Sequence, residues 1–173
     1  GLCFAQTSMY SIGLERTILK FYISTMQENL PSSKIIYMRR TGKYGSENYK
    51  LMDTFKKWIQ ENNLYDQDTV IYAIPMDNPE IVDPCQCRYD VCIKQSPNQK
   101  FAPSQIKYRK MEGGKYLAFV IPHTAEAVQT AWEMYFFELE ELGYLMDKSR
   151  PILERYRKTL VDRHCCELCI PIL

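Results

Sequence analysis

The sequence lacks the features that mark membrane, secreted or nucleic-acid-binding proteins. No segment approaches the ~20 consecutive apolar residues of a membrane span, and the first ten residues lack the basic start and apolar run of a secretion signal. Charge is nearly balanced, with 22 basic and 21 acidic residues. Nucleic-acid binders present clustered positive charge. The clusters of basic residues in this sequence, at 39–40, 107–110 and 155–158, are short and interrupted by other residues. They are predicted to be solvated faces of strands. We therefore expect no membrane insertion and no direct nucleic-acid binding.

Motifs for catalysis and metal binding are equally scarce. The Gly-x-Ser-x-Gly turn and the phosphate loop are absent, and one of only two histidines, His123, is interpreted as a loop residue. The seven cysteines are odd in number and uneven in spacing, which is typical of reduced thiols in a cytoplasm. Zinc-ligand residue types occur around 85–92 and 164–169. However, Cys166 and Cys169 are three apart on a predicted strand and so point to opposite faces. No metal or cofactor is predicted.

Tyrosine, in contrast, is abundant, at 13 of 173 residues. Its ring is apolar and its hydroxyl polar, a combination that suits the wall of a ligand pocket. The same composition is compatible with a tyrosine-rich surface and core that hold no site. Length and composition, with 46% hydrophobic and 25% charged residues, fit one globular domain.

Alternating strand and helix periodicities predict two similar units along the chain. The first comprises a strand, a helix and two strands, at 34–41, 46–62, 69–76 and 87–94. The second repeats that order, at 115–122, 125–142, 151–158 and 165–172. Ser46 and Thr124 are predicted to cap the helices, and Gly143 to end the second one. The predicted fold is α+β: two βαββ units pair about a pseudo-twofold axis, giving one curved antiparallel sheet with both helices on one side and a groove between them.

Residues 1–24 fit this pattern less well and are interpreted as an N-terminal extension before a domain at 25–173. The first few could derive from a tag, and the segment 17–25 is compatible with either a strand or an apolar helix. The segment 26–31 is predicted to supply an edge strand.

Several segments, in this order and spacing, resemble the GyrI-like family, which includes effector-binding domains of AraC-type and MerR-type multidrug regulators. They are 36–45 (IYMRRTGKYG), 79–80 (PE), 87–93 (CRYDVCI), 113–116 (GGKY), 131–132 (AW) and 167–172 (ELCIPI). The resemblance covers roughly residues 25–173. It implies about eight antiparallel strands, two helices and a central pocket for lipophilic, often cationic, drugs or toxins, which the protein would sense or sequester in the cytoplasm. Haem-binding proteins of the SOUL type share this architecture, but neither histidine resembles a haem ligand.

The resemblance assigns the family's pocket glutamate to Glu167, whose strand alternation places it on one face with Cys165 and Cys169. An ionised carboxylate in an apolar cavity is costly without a partner. A cationic ligand would supply that partner, and nearby rings would add cation–π attraction. From the residues alone, Glu167 could instead face water or pair with an arginine such as Arg155. Further predicted ligand-binding residues are Trp132, Tyr135, Tyr37, Tyr72, Tyr89 and Tyr156, with Glu154 as a second pocket carboxylate.

Two other functions stay open. The first is a hydrolase of cyclopropane-type toxins, in which Glu167 acts as general base and Tyr156 donates a hydrogen bond to the leaving oxygen. The second is a protein-interaction module that acts on gyrase or on a regulator.

Overall fold

The computed structural model describes residues 20–102 and 104–173. These ranges contain eight strands: β1 Ser24–Leu30, β2 Ser33–Thr41, β3 Val70–Pro75, β4 Arg88–Lys94, β5 Lys107–Met111, β6 Gly114–Pro122, β7 Leu153–Arg157 and β8 Cys165–Pro171. They also contain three α-helices: α1 Ser46–Glu61, α2 Ala125–Glu141 and the single turn α3 Lys158–Val161. A 3₁₀ turn, Pro84–Gln86, precedes β4.

The eight strands form one curled antiparallel sheet in the order β1-β6-β8-β7-β3-β4-β2-β5. The predicted α+β class and curved antiparallel sheet are confirmed. Strands β3 and β7, which follow the two long helices in the chain, are neighbours at the centre of the sheet. The predicted edge strand is β1. Of the segment 17–25, only its last two residues are in a strand, and 17–19 lie outside the described residues.

The long helices begin differently. Thr124 Oγ1 accepts a hydrogen bond from the Ala127 amide at 3.0 Å and so caps α2, as predicted. Ser46 is not a cap: it is the first residue of α1, and Gly45 precedes it without a side-chain hydrogen bond. Gly143 has a φ of 83°, the left-handed conformation expected where α2 ends. None of the described helices is long and apolar enough to cross a membrane.

The two faces of the sheet have different cover. Directly paired residues of antiparallel strands share a face. Leu168 pairs with Phe119 and Glu154, whereas Glu167 pairs with Val120 and Arg155. Helices α1 and α2 pack on the face that carries Leu168, which we call the helix face. The opposite or helix-free face has its own apolar cluster, to which neither long helix contributes. Because α1 packs over β2 and β4 and α2 over β6 and β8, the central strands lie beneath the gap between the helices.

Candidate functional site

The gap between α1 and α2 is a cleft with a volume of about 490 Å³. Pockets for small molecules commonly have volumes of ~300–1,000 Å³, so the cleft is large enough for a drug-sized compound. Strands β4 and β7 contribute to its floor, and the two helices and the loops before them form its walls. The lining residues are Tyr44, Gly45, Asn48, Tyr49, Met52, Asp53, Lys56, Tyr89, His123, Thr124, Ala125, Val128, Gln129, Trp132, Glu154 and Tyr156.

Glu154 of β7 is the carboxylate on the floor of this cleft. Its Oε1 accepts a hydrogen bond from Trp132 Nε1 at 3.1 Å, and its Oε2 accepts one from the Tyr156 hydroxyl at 2.5 Å. Both donors are neutral, and no described residue forms a salt bridge with Glu154. Burial raises the pKa of Glu154, although the hydrogen bonds from Tyr156 and Trp132 oppose that rise. An ionised Glu154 therefore has hydrogen bonds but no counter-charge.

Aromatic rings surround this carboxylate. Tyr156 packs against the apolar clusters under both helices, and Tyr89 is buried in the cluster under α1. The Tyr89 ring centre lies 6.0 Å from that of Tyr44. Burial raises the pKa of Tyr156 well above its ordinary value, and the adjacent Glu154 adds to the rise. The Tyr156 hydroxyl therefore stays protonated and can donate to Glu154.

Tyr44 is held at the cleft wall by the loop after β3. Its hydroxyl lies 2.7 Å from the Arg88 carbonyl oxygen and 3.0 Å from that of Asp77. Asp77 is fixed in turn by a two-pronged salt bridge to Arg88, with both N–O distances at 2.9 Å. The hydrogen bond from Arg88 lowers the pKa of Asp77 to about 2. These contacts make Tyr44 a positioned wall residue although no helix or strand contains it.

Glu167 is not in the cleft. It is buried on the helix-free face, where it accepts hydrogen bonds from Arg155 at 2.9 and 2.5 Å and from Arg157 at 2.8 Å. Arg155 also forms a salt bridge with Glu28. The predicted alternation along β8 is confirmed, since Cys169 lies on the helix-free face and Cys166 and Leu168 lie on the helix face. The prediction of Glu167 as the pocket glutamate needs correction, because its charge is already paired. The alternative left open by the sequence, a pair with an arginine such as Arg155, is the one observed.

Four other predictions also need correction. Tyr37 and Tyr72 belong to the cluster on the helix-free face, where the guanidinium groups of Arg39 and Arg109 lie 5.2 and 5.1 Å from the Tyr37 ring centre. The basic group at 155–158 is not simply a solvated strand face, since Arg155 is 0% exposed. Tyr135 contacts Trp132 with ring centres 6.0 Å apart, but it does not line the cleft.

Of the predicted site residues, the structure brings four together in the cleft: Trp132, Tyr156, Tyr89 and Glu154. Tyr44 and Tyr49 also line the cleft, although neither was predicted as a site residue. Tyr44 lies within the segment 36–45 that carried the family resemblance, and that segment was the available signal. Tyr49 lies in α1, where it is exposed and lines the cleft.

The cysteines that the structure describes are not grouped as a metal site. Among the described residues, no three His, Cys, Asp or Glu side chains are grouped so that they could hold a metal ion. Burial raises the pKa values of Cys92, Cys166 and Cys169 to about 12, so these thiols stay protonated.

Comparison with known proteins identifies the family. Residues 25–173 match the family model of the GyrI-like small molecule binding domain. The chain belongs to the GyrI-like family. One relative is the SPbeta prophage-derived protein YosT of Bacillus subtilis (strain 168), a proposed transcriptional regulator. It is 40% identical over 147 residues, which are 84% of this chain and 96% of YosT.

Solved structures share the fold of this GyrI-like domain. EcmrR in a complex with DNA superposes with a TM-score of 0.69 at 12% identity, over 98% of this chain but 64% of EcmrR, so the chain spans less than two thirds of that protein. The isolated EcmrR C-terminal domain gives a TM-score of 0.65 at 13% identity, over 87% and 97% of the two chains. SAV2435 bound to tetraphenylphosphonium gives 0.55 at 16% identity, over 87% and 94%.

Proposed function

We propose that this GyrI-like domain binds a lipophilic cation in the cleft between α1 and α2, with Glu154 as the counter-charge, and that it serves as a sensor or sequestering protein. The observation that carries the proposal is a contrast between carboxylates in the sheet. On the helix-free face, Asp90 is paired with Arg39 and Arg109, and Glu167 is paired with Arg155 and Arg157. On the helix face, Glu154 has only the neutral donors Trp132 and Tyr156.

The missing counter-charge gives a cationic ligand its advantage. Opposite charges 4 Å apart attract by about 4 kcal/mol at an effective dielectric constant of ~20. Desolvation of the ligand cation offsets much of this, so a net gain of about 1–3 kcal/mol is reasonable for one charge-assisted contact. Rings such as Trp132 and Tyr89 would add cation–π attraction of ~0.5–2 kcal/mol each. Charge would therefore be selected strictly, while the open, aromatic cleft would tolerate different shapes.

The relatives support this proposal. The family is described as small-molecule-binding, and SAV2435 was solved with tetraphenylphosphonium, a lipophilic cation. YosT is a proposed transcriptional regulator, and EcmrR was solved with DNA. A regulatory role would require that ligand binding in the cleft be passed to a DNA-binding partner or domain.

Two ions of matched shape and opposite charge test the proposal. Titration calorimetry would compare tetraphenylphosphonium with tetraphenylborate on the wild-type protein and on Glu154→Gln. The wild type is expected to bind the phosphonium and to reject the borate, and Glu154→Gln to weaken phosphonium binding by about 1–3 kcal/mol, roughly 5- to 150-fold. Equal affinities of the wild type for both ions would refute Glu154 as a counter-charge.

A further inference from the structure

A small chamber adjoins one end of the cleft. Its volume is about 30 Å³, enough for a water molecule or a group of similar size and too small for a ring. Lys56, His123 and Tyr156 line both the chamber and the cleft, so the two spaces lie side by side. A substituent of a ligand seated over Glu154 would therefore lie close to the residues that line both spaces.

The polar groups at the chamber favour an anion. Lys56 of α1 is half-buried and forms no salt bridge with any described residue, whereas its helix neighbours Lys50 and Lys57 pair with Glu47 and Glu61. Asp53 lines the cleft nearby but is exposed and unpaired with Lys56. On the far wall, Lys158 is held by Asp162 at 2.9 Å. Of the two lysines that line the chamber, Lys56 is therefore the one that no described residue neutralises.

His123 adds a neutral polar group rather than a second cation. Its pKa is lowered by burial and then by the nearby Lys56 and His164 side chains, so the ring of His123 is neutral near pH 7 and can donate one hydrogen bond. Tyr65, which also lines the chamber, has a hydroxyl group that can donate a hydrogen bond. A carboxylate-sized anion would find one positive charge and neutral donors there.

We infer that the natural ligand of the cleft is zwitterionic: a cationic ring system held at Glu154 carries an anionic group, such as a carboxylate, that Lys56 binds at the chamber. This inference rests on the proposed cation site and adds a second charge requirement to it. A ligand with only positive charge would leave Lys56 uncompensated and would be repelled by it. A zwitterion would satisfy Glu154 and Lys56 together.

The experiment uses rhodamine B and its ethyl ester, which share one xanthene cation and differ in whether the carboxylate is free. Fluorescence anisotropy titrations would measure both dyes on the wild type and on Lys56→Gln. The wild type is expected to bind the free acid more tightly than the ester. Lys56→Gln should lose about tenfold in affinity for the acid and keep or gain affinity for the ester. Lys57→Gln is the matched control, because it removes the same charge from a side chain that is 79% exposed on the same helix.

The outcomes separate the two proposals. If Lys56→Gln and Lys57→Gln change the affinities for both dyes equally, the anion subsite is refuted while the cation site stands. Glu154→Gln should weaken both dyes, and a wild type that binds neither dye would refute the cation site and the zwitterion inference together. Far-UV circular dichroism would check that each variant keeps its fold.

Discussion

A comparison of Glu167→Gln with Glu154→Gln is the sharpest test of how the two faces of the sheet differ. Glu167→Gln removes a buried negative charge that accepts three hydrogen bonds from Arg155 and Arg157. Arg155 is itself 0% exposed, so the substitution leaves buried positive charge with only Glu28 to balance it. Breaking a buried ion pair costs about 3–5 kcal/mol. The remaining Glu28 contact places the expected loss of unfolding free energy near the lower end, about 3 kcal/mol.

Glu154→Gln should behave in the opposite way. The amide oxygen can still accept from Trp132, and the amide nitrogen can donate to the Tyr156 hydroxyl, which is able to accept. No buried cation loses its partner. The unfolding free energy should therefore change by less than about 1 kcal/mol, while the affinity for tetraphenylphosphonium falls.

Urea unfolding, thermal unfolding and phosphonium titration would be run on the wild type and both variants. At ~2–4 °C per kcal/mol for a chain of this size, Glu167→Gln should lower the melting temperature by about 6–12 °C. Glu167→Gln should keep wild-type phosphonium affinity at a temperature where it is folded. The assignment of the faces is wrong if Glu167→Gln unfolds like the wild type but loses the ligand, or if Glu154→Gln unfolds early and binds normally.

Three further predictions concern the pH dependence, the hydrogen bond to Glu154 and the end of α2. Burial raises the folded-state pKa of Glu154 above 4.5. Its contribution to stability is therefore full below the unfolded value and is lost as the pH rises through the folded one. As the pH rises above 4.5, urea unfolding should show the wild type losing stability relative to Glu154→Gln. Titrations over the same pH series should show the phosphonium affinity of the wild type rising. Parallel pH profiles of the two proteins would contradict this. Tyr156→Phe removes a hydrogen-bond donor to Glu154 and therefore raises the pKa of that carboxyl group further. Calorimetry at pH 7 should show phosphonium binding weaker by about 0.5–1.5 kcal/mol. An unchanged affinity would show that the hydrogen bond is unimportant. Gly143→Ala should lower the unfolding free energy by about 1–2 kcal/mol, because a φ of 83° strains any residue with a Cβ. Steric contact would not contribute, since an added Cβ would meet no atom within 4 Å. A urea unfolding midpoint equal to that of the wild type would refute the strain.

Local sequence signals predicted most of the fold. Thr124 and Gly143 mark the ends of α2 because capping and left-handed conformations depend on one or two residues and their immediate neighbours. The apolar run at 115–122 corresponds closely to β6. The cap of α1 was predicted one position too late, at Ser46. Gly45 occupies the cap position and makes no side-chain hydrogen bond to the helix.

The site was only partly predictable. Trp132, Tyr89, Tyr156 and Glu154 were assigned to the cleft and do line it, whereas Tyr37 and Tyr72 lie on the other side of the sheet. The strand tyrosines on the two faces have the same aromatic character and the same alternation along their strands, so neither property shows which of them line the cleft. In the middle of β2, Ile36 and Met38 face α1 and Ile35 and Tyr37 face away, yet all four are buried, so hydrophobicity along that part of the strand does not distinguish its two faces.

The sequence by itself determined most of the helices and strands, and which residues of each predicted strand share a face, because the side-chain periods of a helix and of a strand are local properties of the chain. Only the tertiary structure decided which face the helices cover, and therefore that Glu154 rather than Glu167 lies in the cleft. Strand pairing places Arg155 beside Glu167 and leaves Glu154 beside Leu168, so one carboxylate is neutralised within the protein and the other has no charged partner among the described residues.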